Sequence, residues 1–155
     1  MTTSAQWHFN EKAHDYAFSL YRDHDGDINS IPEPIRTYLL IRIFKDQVDN
    51  GDFSQFFIST YADNARAVLD ALKIIGARKN ALVYEQMLRC FGPEGPAPDY
   101  DTRYNQMQQV GESEEFNTLT RSYWRRRRQY PEEIELHLAQ YVDEHITDFG
   151  VAEKH

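Results

Sequence analysis

One cysteine, Cys90, stands in the whole chain, so no intramolecular disulfide can brace the fold and the hydrophobic core must hold it alone. Long apolar runs are missing as well. The longest covers residues 38–41 and resumes at Ile43 and Phe44 after Arg42, far short of the ~20 residues that cross a bilayer. The opening MTTSAQWHFNEK has neither a basic n-region nor an apolar h-region. The expectation is a cytoplasmic protein with no membrane contact. Positive charge is also scarce: 17 Lys and Arg face 25 Asp and Glu, for a formal net charge of -8. That balance opposes direct nucleic-acid binding and favours basic partners. Glycine and proline gather only at residues 92–100, an internal loop too short to separate domains. There is no glycine-rich phosphate loop, and no Ser, His and Asp set has a recognisable local context. No catalytic residue, cofactor or metal is therefore assigned, and the chain is read as a non-enzyme.

What remains is a folding composition. Hydrophobic residues make up 41% and aromatics 14% of 155 residues, enough for one core and marginal for two. A single domain over residues 1–155 is expected, with loose ends at 1–6 and 150–155. Phe9, Ala13, Ala17, Phe18, Leu20 and Tyr21 follow helical spacing and predict a first helix over residues 7–21. Asp23, Asp25 and Asp27 around Gly26 then predict a turn. Ser30 and Glu33 have the spacing of a capping box, with Pro32 in the first turn of a helix over residues 31–50. Apolar groups on nearly all sides make this the central helix. Asn50 and Gly51 should close it in the left-handed conformation, and Asp52 with Gln55 repeats the capping-box spacing.

Phe53, Phe56, Phe57 and Tyr61 share the next helix face. Asp63 is the expected cap of a helix carrying Ala67, Val68, Ala71, Leu72 and Ile75 and ending at Gly76. A helix over residues 80–91 buries Leu82 or Val83 with Met87, Leu88 and Phe91. A short polar helix follows over 101–110. Ser113 starts another, with Phe116, Leu119 and Tyr123 on one face, that Pro131 breaks. The last, over 131–147, has Ile134, Leu138, Tyr141, Val142 and Ile146 at core spacing. The fold class is all-α, a single domain of six to eight helices.

Asn50, Gly51, Phe53, Gln55, Phe56 and Phe57, followed by Leu69, Leu72, Ile75, Gly76 and Ala77, match an Asn-Gly-Gly-Phe-x-Gln-aromatic-Phe signature and a helix ending in Ile-Gly-Ala. In this the chain resembles the bacterial DNA-mimic protein family, the DNA-mimic-protein-19-like domain. Asp52 replaces the second glycine, and Ser59 stands where an asparagine is common. Tyr123, Trp124, Leu138, Tyr141, Val142 and His145 extend the resemblance, which covers the chain from about Ile35 onward. It implies an all-helical domain whose acidic members occupy the DNA-binding surface of a partner. The signature itself, Asn50 to Phe57 with Gly76, reads as structural, because grouped phenylalanines are more often core than ligand site.

Partner-binding candidates are then the acids: Asp23, Asp25, Asp27 and Glu33; Asp99 and Asp101; Glu112, Glu114 and Glu115; Glu132 and Glu133. A DNA mimic must space carboxylates like duplex phosphates, which recur every ~1.7 Å of axis over both strands. Solvated helix faces and helix N-termini explain such acids equally well. Asp23, Asp25 and Asp27 also resemble the start of a calcium loop, but Ile28 takes the position of its glycine and Pro34 that of its last ligand. Glu11 and His14 form only one of the two Glu-x-x-His pairs a di-iron bundle needs. His137 and His145 lie two turns apart and read as surface or hydrogen-bonded histidines. Cys90 reads as an inert thiol. Arg125, Arg126, Arg127 and Arg128 span about 400° of helix and cannot form one basic stripe. They are expected to pair with Glu132, Glu133 and Glu135, or with a second subunit in a homodimer. The leading expectation is an acidic interaction domain that mimics DNA before a basic or DNA-binding protein. The alternative is an immunity or antitoxin-type inhibitor of an enzyme, and a metal-dependent hydrolase is a third class.

Overall fold

Helical spacing becomes helix throughout the computed structural model, which describes residues 10–151. Among these residues the chain forms α1 (Glu11–Asp23), α2 (Ile35–Phe57), α3 (Ala65–Ile74), α4 (Arg78–Arg89), α5 (Tyr100–Val110), α6 (Glu114–Gln129) and α7 (Glu133–Glu144). Short 3-10 turns occupy Ile28–Ser30, Thr60–Asn64 and Ile146–Phe149. The all-α expectation holds, and the seven helices share one core. Trp7 and Phe9, expected in the first helix, and the ends 1–6 and 152–155 lie outside the described residues. Val151, expected in a loose end, packs against the core.

The central position of α2 follows from its composition. Tyr38, Leu39, Leu40, Ile41, Phe44 and Val48 are all buried, and α1, α3, α5 and α7 each contact the helix. A helix apolar on every side must be surrounded. Its start differs from the capping-box expectation. Ser30 ends a 3-10 turn, and its hydroxyl donates to the Asp27 carbonyl at 2.7 Å. Glu33 alone does the capping: its Oε1 accepts from the Thr37 amide at 3.0 Å and the Thr37 hydroxyl at 2.7 Å. The Glu33-Pro34 peptide is cis.

The corner after Asn50 is real, but its geometry differs from expectation. Gly51 has φ -154° and ψ 24°, and the positive φ falls on Asp52, at φ 68° and ψ -175°. Glycine is needed at 51 for a different reason. A Cβ there would meet Gln55 Oε1 at 2.5 Å and Gln55 Cβ at 2.7 Å. Nor does Gln55 close a capping box, since its amide donates to Gln47 Oε1 at 3.2 Å. Asp52 therefore occupies backbone space that is essentially reserved for glycine and costs ~1–3 kcal/mol for other residues. Its Oδ1 offsets that cost by accepting from the Phe53 amide at 2.8 Å and the Trp124 indole at 2.9 Å. Strain and hydrogen bonds make separable predictions. Asp52→Gly relieves the first and loses the second, and should stay within ~1 kcal/mol of the parent. Asp52→Ala keeps the strain and loses the bonds, and should cost ~2–4 kcal/mol. Urea unfolding checks the order, and an alanine variant as stable as the glycine variant would show that the backbone at 52 is relaxed.

Beyond the corner, Phe53, Phe56 and Phe57 enter the core, each at most 1% exposed. Phe57 lies 4.8 Å from Phe91 and 6.2 Å from Phe116 between ring centroids, and Phe53 lies 4.8 Å from Tyr123. The short second half of α2 thus joins α4 to α6. Tyr61, expected on this face, is 41% exposed instead. The helix ends first, where the Ser59 hydroxyl donates to the Phe56 carbonyl at 2.7 Å. In α4, of the alternatives Leu82 and Val83, Leu82 is exposed and Val83 packs half-buried against the core, while Tyr84 is buried beside it.

The expected pairing of the arginine run is half right. Arg126 binds Glu133 with both Nε and a terminal nitrogen, and Asn80 donates to the same carboxylate at 2.8 Å. Arg127 meets Asp49 and Glu135 at 3.1 Å each, and Lys45 meets the same two acids at 2.9 and 3.3 Å. This closed ring of alternating charge ties α2, α6 and α7 together. Glu132 stays outside it, and its Oε2 is buried without a hydrogen-bond partner among the described residues. Arg125 and Arg128 are exposed.

The Arg126 hydrogen bond, opposed by burial and helped by Asn80, holds the Glu133 carboxyl below its usual value of 4.5. A depressed folded-state pKa stabilises the fold above the unfolded value and loses that contribution as pH falls through the folded one. Glu133→Gln should therefore be less stable than the parent at pH 7, with the gap narrowing below about pH 4. Urea midpoints measured from pH 7 to pH 3 check this, and a pH-independent gap would contradict it.

Candidate functional site

The acidic turn after α1 is held by its own backbone and side chains. Asp25 and Gly26 take positive φ, 55° and 74°, which a short aspartate and a glycine tolerate. Asp27 caps the Ile28–Ser30 turn through Oδ1, which accepts from the Asn29 amide at 3.2 Å. His24 Nδ1 bonds the Ser30 hydroxyl at 2.8 Å. Asp23, Asp25 and Asp27 are all exposed on this turn. Residues 10–33 carry Glu11, Asp15, Asp23, Asp25, Asp27 and Glu33 against only Lys12 and Arg22. Glu33 differs from its neighbours. Burial works against its charge, but hydrogen bonds from Thr37 and Arg36 prevail and hold its carboxyl low.

Beside this turn lies a cleft of about 370 Å³. Leu40, Ile43, Phe56 and Val68 contribute its apolar lining, Tyr21 and Tyr61 its aromatic walls, and Asp27 and Asp63 its acids. The ring of Phe18 meets Tyr21 edge-on at 6.1 Å and fixes that wall. Asp63 was expected to cap α3, but its Oδ1 accepts from Arg103 at 2.8 Å.

Arg103 is the residue that sequence reasoning missed. It is 0% exposed and donates to the carbonyls of Phe57, Ala97, Pro98 and Ser59 as well as to Asp63. The Phe57 carbonyl is the last of α2, where helices leave acceptors without internal partners, and Ser59 leads into the Thr60–Asn64 turn. A signal was present: Arg103, Met107 and Val110 stand at i, i+4 and i+7, and all three are buried.

Through Arg103 the cleft connects to the second acidic set. Asp99 caps α5 by accepting from the Thr102 amide at 2.9 Å and hydroxyl at 2.7 Å, and these bonds lower its pKa. Asp101, Glu112, Glu114 and Glu115 are exposed along α5 and the start of α6. Arg103 is the only cation in residues 99–115 against these five acids. Asp63 shares the cleft with Asp27 of the first set and pairs with Arg103 of the second, so it links the two. Glu132 and Glu133 belong to neither: they flank a separate groove with Tyr130 and His137.

The other chemical candidates disperse. Among the described residues, no group of three or more His, Cys, Asp or Glu side chains is placed to hold a metal ion. His14 Nδ1 bonds the Tyr38 hydroxyl at 2.7 Å, and His145 Nδ1 bonds the Tyr141 carbonyl at 2.8 Å. Burial and the nearby Glu115 push the Cys90 thiol up to about 11, so it is protonated at neutral pH.

The signature residues make one corner, from exposed Asn50 and Gly51 to buried Phe53, Phe56 and Phe57, and a family model for DMP19-like protein matches residues 29–145. The chain belongs to the DMP19-like protein family. The match starts earlier than the resemblance at Ile35, taking in part of the Ile28–Ser30 turn and Glu33. It leaves out α1 with Asp23, Asp25 and Asp27. In this DMP19-like chain the cleft is thus shared: Leu40, Phe56, Tyr61 and Asp63 come from the matched region, and Tyr21 and Asp27 from outside it. No curated protein and no solved structure matches the chain.

Proposed function

We propose that this DMP19-like chain is a non-enzymatic interaction domain whose acidic surface occupies the nucleic-acid-binding face of a basic partner protein. One observation carries the reading. Asp63 joins the two acidic segments: it lines one cleft with Asp27 of residues 10–33, and it pairs with Arg103 of residues 99–115. An extended acidic surface complements the extended basic surface by which proteins hold a phosphate backbone, whereas a plug for an enzyme's catalytic pocket needs only one protruding segment. Glu33 and Glu133 are engaged internally and contribute little to it.

The test is capture and competition. Immobilised protein should retain a basic nucleic-acid-binding protein at low salt and release it on adding duplex DNA. Binding should also weaken steeply as salt rises, because exposed charges are screened within ~8–10 Å near physiological ionic strength. Retention of a nuclease or toxin that duplex DNA does not displace would overturn mimicry in favour of enzyme inhibition.

A further inference from the structure

We propose that the cleft between Tyr21 and Tyr61 receives one arginine side chain of the basic partner, stacked on Tyr61 and bound at its guanidinium by Asp27 and Asp63. This rests on the reading above, because it assumes a basic protein partner. Four features of the cleft favour arginine. Tyr61 lines the cleft with 41% of its surface in solvent, and an aromatic ring so placed attracts a cation. Half-buried Ile43, backed by buried Leu40 and Phe56, offers apolar surface to the three-methylene stem of arginine.

Both acids are also held in advance. Asp27 Oδ1 is oriented by the Asn29 amide and Asp63 Oδ1 by Arg103, and the Oδ2 of each has no hydrogen bond among the described residues. Acceptors fixed before binding lose little freedom when the ligand arrives. The charge on Arg103 does not close the cleft to a second cation, since four backbone carbonyls surround it along with Asp63. Finally, a planar guanidinium can stack and reach two carboxylates at once, which the compact lysine ammonium cannot.

Amide chemical shifts of the full chain, isotopically labelled, provide the test. The probes are N-acetyl-argininamide, its uncharged isostere N-acetyl-citrullinamide, and deca-arginine. The arginine amide should shift Asn29, Thr60, Tyr61 and Asn64 saturably, with citrulline at least about tenfold weaker. Tyr61→Ala should weaken arginine binding roughly two- to fivefold at an unchanged unfolding midpoint, because the ring is exposed. Equal binding of citrulline, or no effect of Tyr61→Ala in a folded variant, would overturn the arginine cleft. If deca-arginine shifts Asp101, Glu112 and Glu114 but spares the cleft, the arginine site fails and the acidic-surface reading stands. If deca-arginine shifts nothing, both fail.

Discussion

Replacing Arg103 with methionine should lower the unfolding free energy by at least ~3–5 kcal/mol, the cost of breaking a buried charged network. The guanidinium is fully buried, and its five acceptors come from three parts of the chain: the end of α2, the Thr60–Asn64 turn and the loop before α5. Methionine fills similar space but donates nothing. Each carbonyl left without a donor costs ~1–3 kcal/mol if water cannot reach it. Asp63→Asn is the control. Its side chain is 44% exposed and keeps an oxygen for Arg103, so ~1 kcal/mol or less is expected. Urea unfolding of the two variants checks the contrast. A methionine variant within ~1 kcal/mol of the parent would mean that water reaches these carbonyls.

Phe57→Ala should cost ~3–5 kcal/mol, the range for deleting a buried aromatic ring. Phe57 is 0% exposed and touches the rings of Phe56, Tyr84, Phe91 and Phe116, so α4 and α6 lose a common neighbour. Its carbonyl is also an Arg103 acceptor, and any shift of the α2 end reaches that network. Under conditions where the variant stays folded, binding to the basic partner should be unchanged. Lost stability with intact binding marks the signature as architecture. Lost binding in a folded Phe57→Ala protein would place recognition in the signature.

Local periodicity carried most of the fold. Ser113 caps α6 as expected, with Oγ accepting from the Phe116 amide at 3.0 Å, and Ile134, Leu138, Tyr141 and Val142 are buried as their spacing predicts. What escaped depends on contacts distant in sequence. Asp52 looks like an ordinary helix cap until Trp124, 72 residues away, is seen to share its oxygen. Asp63 looks like a cap until Arg103, 40 residues away, takes it. Tyr61 looks like core only if the helix continues, and the local Ser59 to Phe56 hydrogen bond is too weak a signal to place that stop from sequence. The acids were legible in number. Their division into capping groups, such as Glu33 and Asp99, and uncommitted exposed groups, such as Asp25 and Asp101, required the fold.

The central claim is that partner binding resides in exposed acids outside the signature corner. One variant tests it directly: Asp23→Asn, Asp25→Asn, Asp101→Asn, Glu112→Gln and Glu114→Gln combined, all at exposed positions. Affinity for the captured basic partner at low salt should fall at least about tenfold while the urea midpoint stays close to the parent's. Undiminished affinity in the folded, neutralised protein would contradict the account.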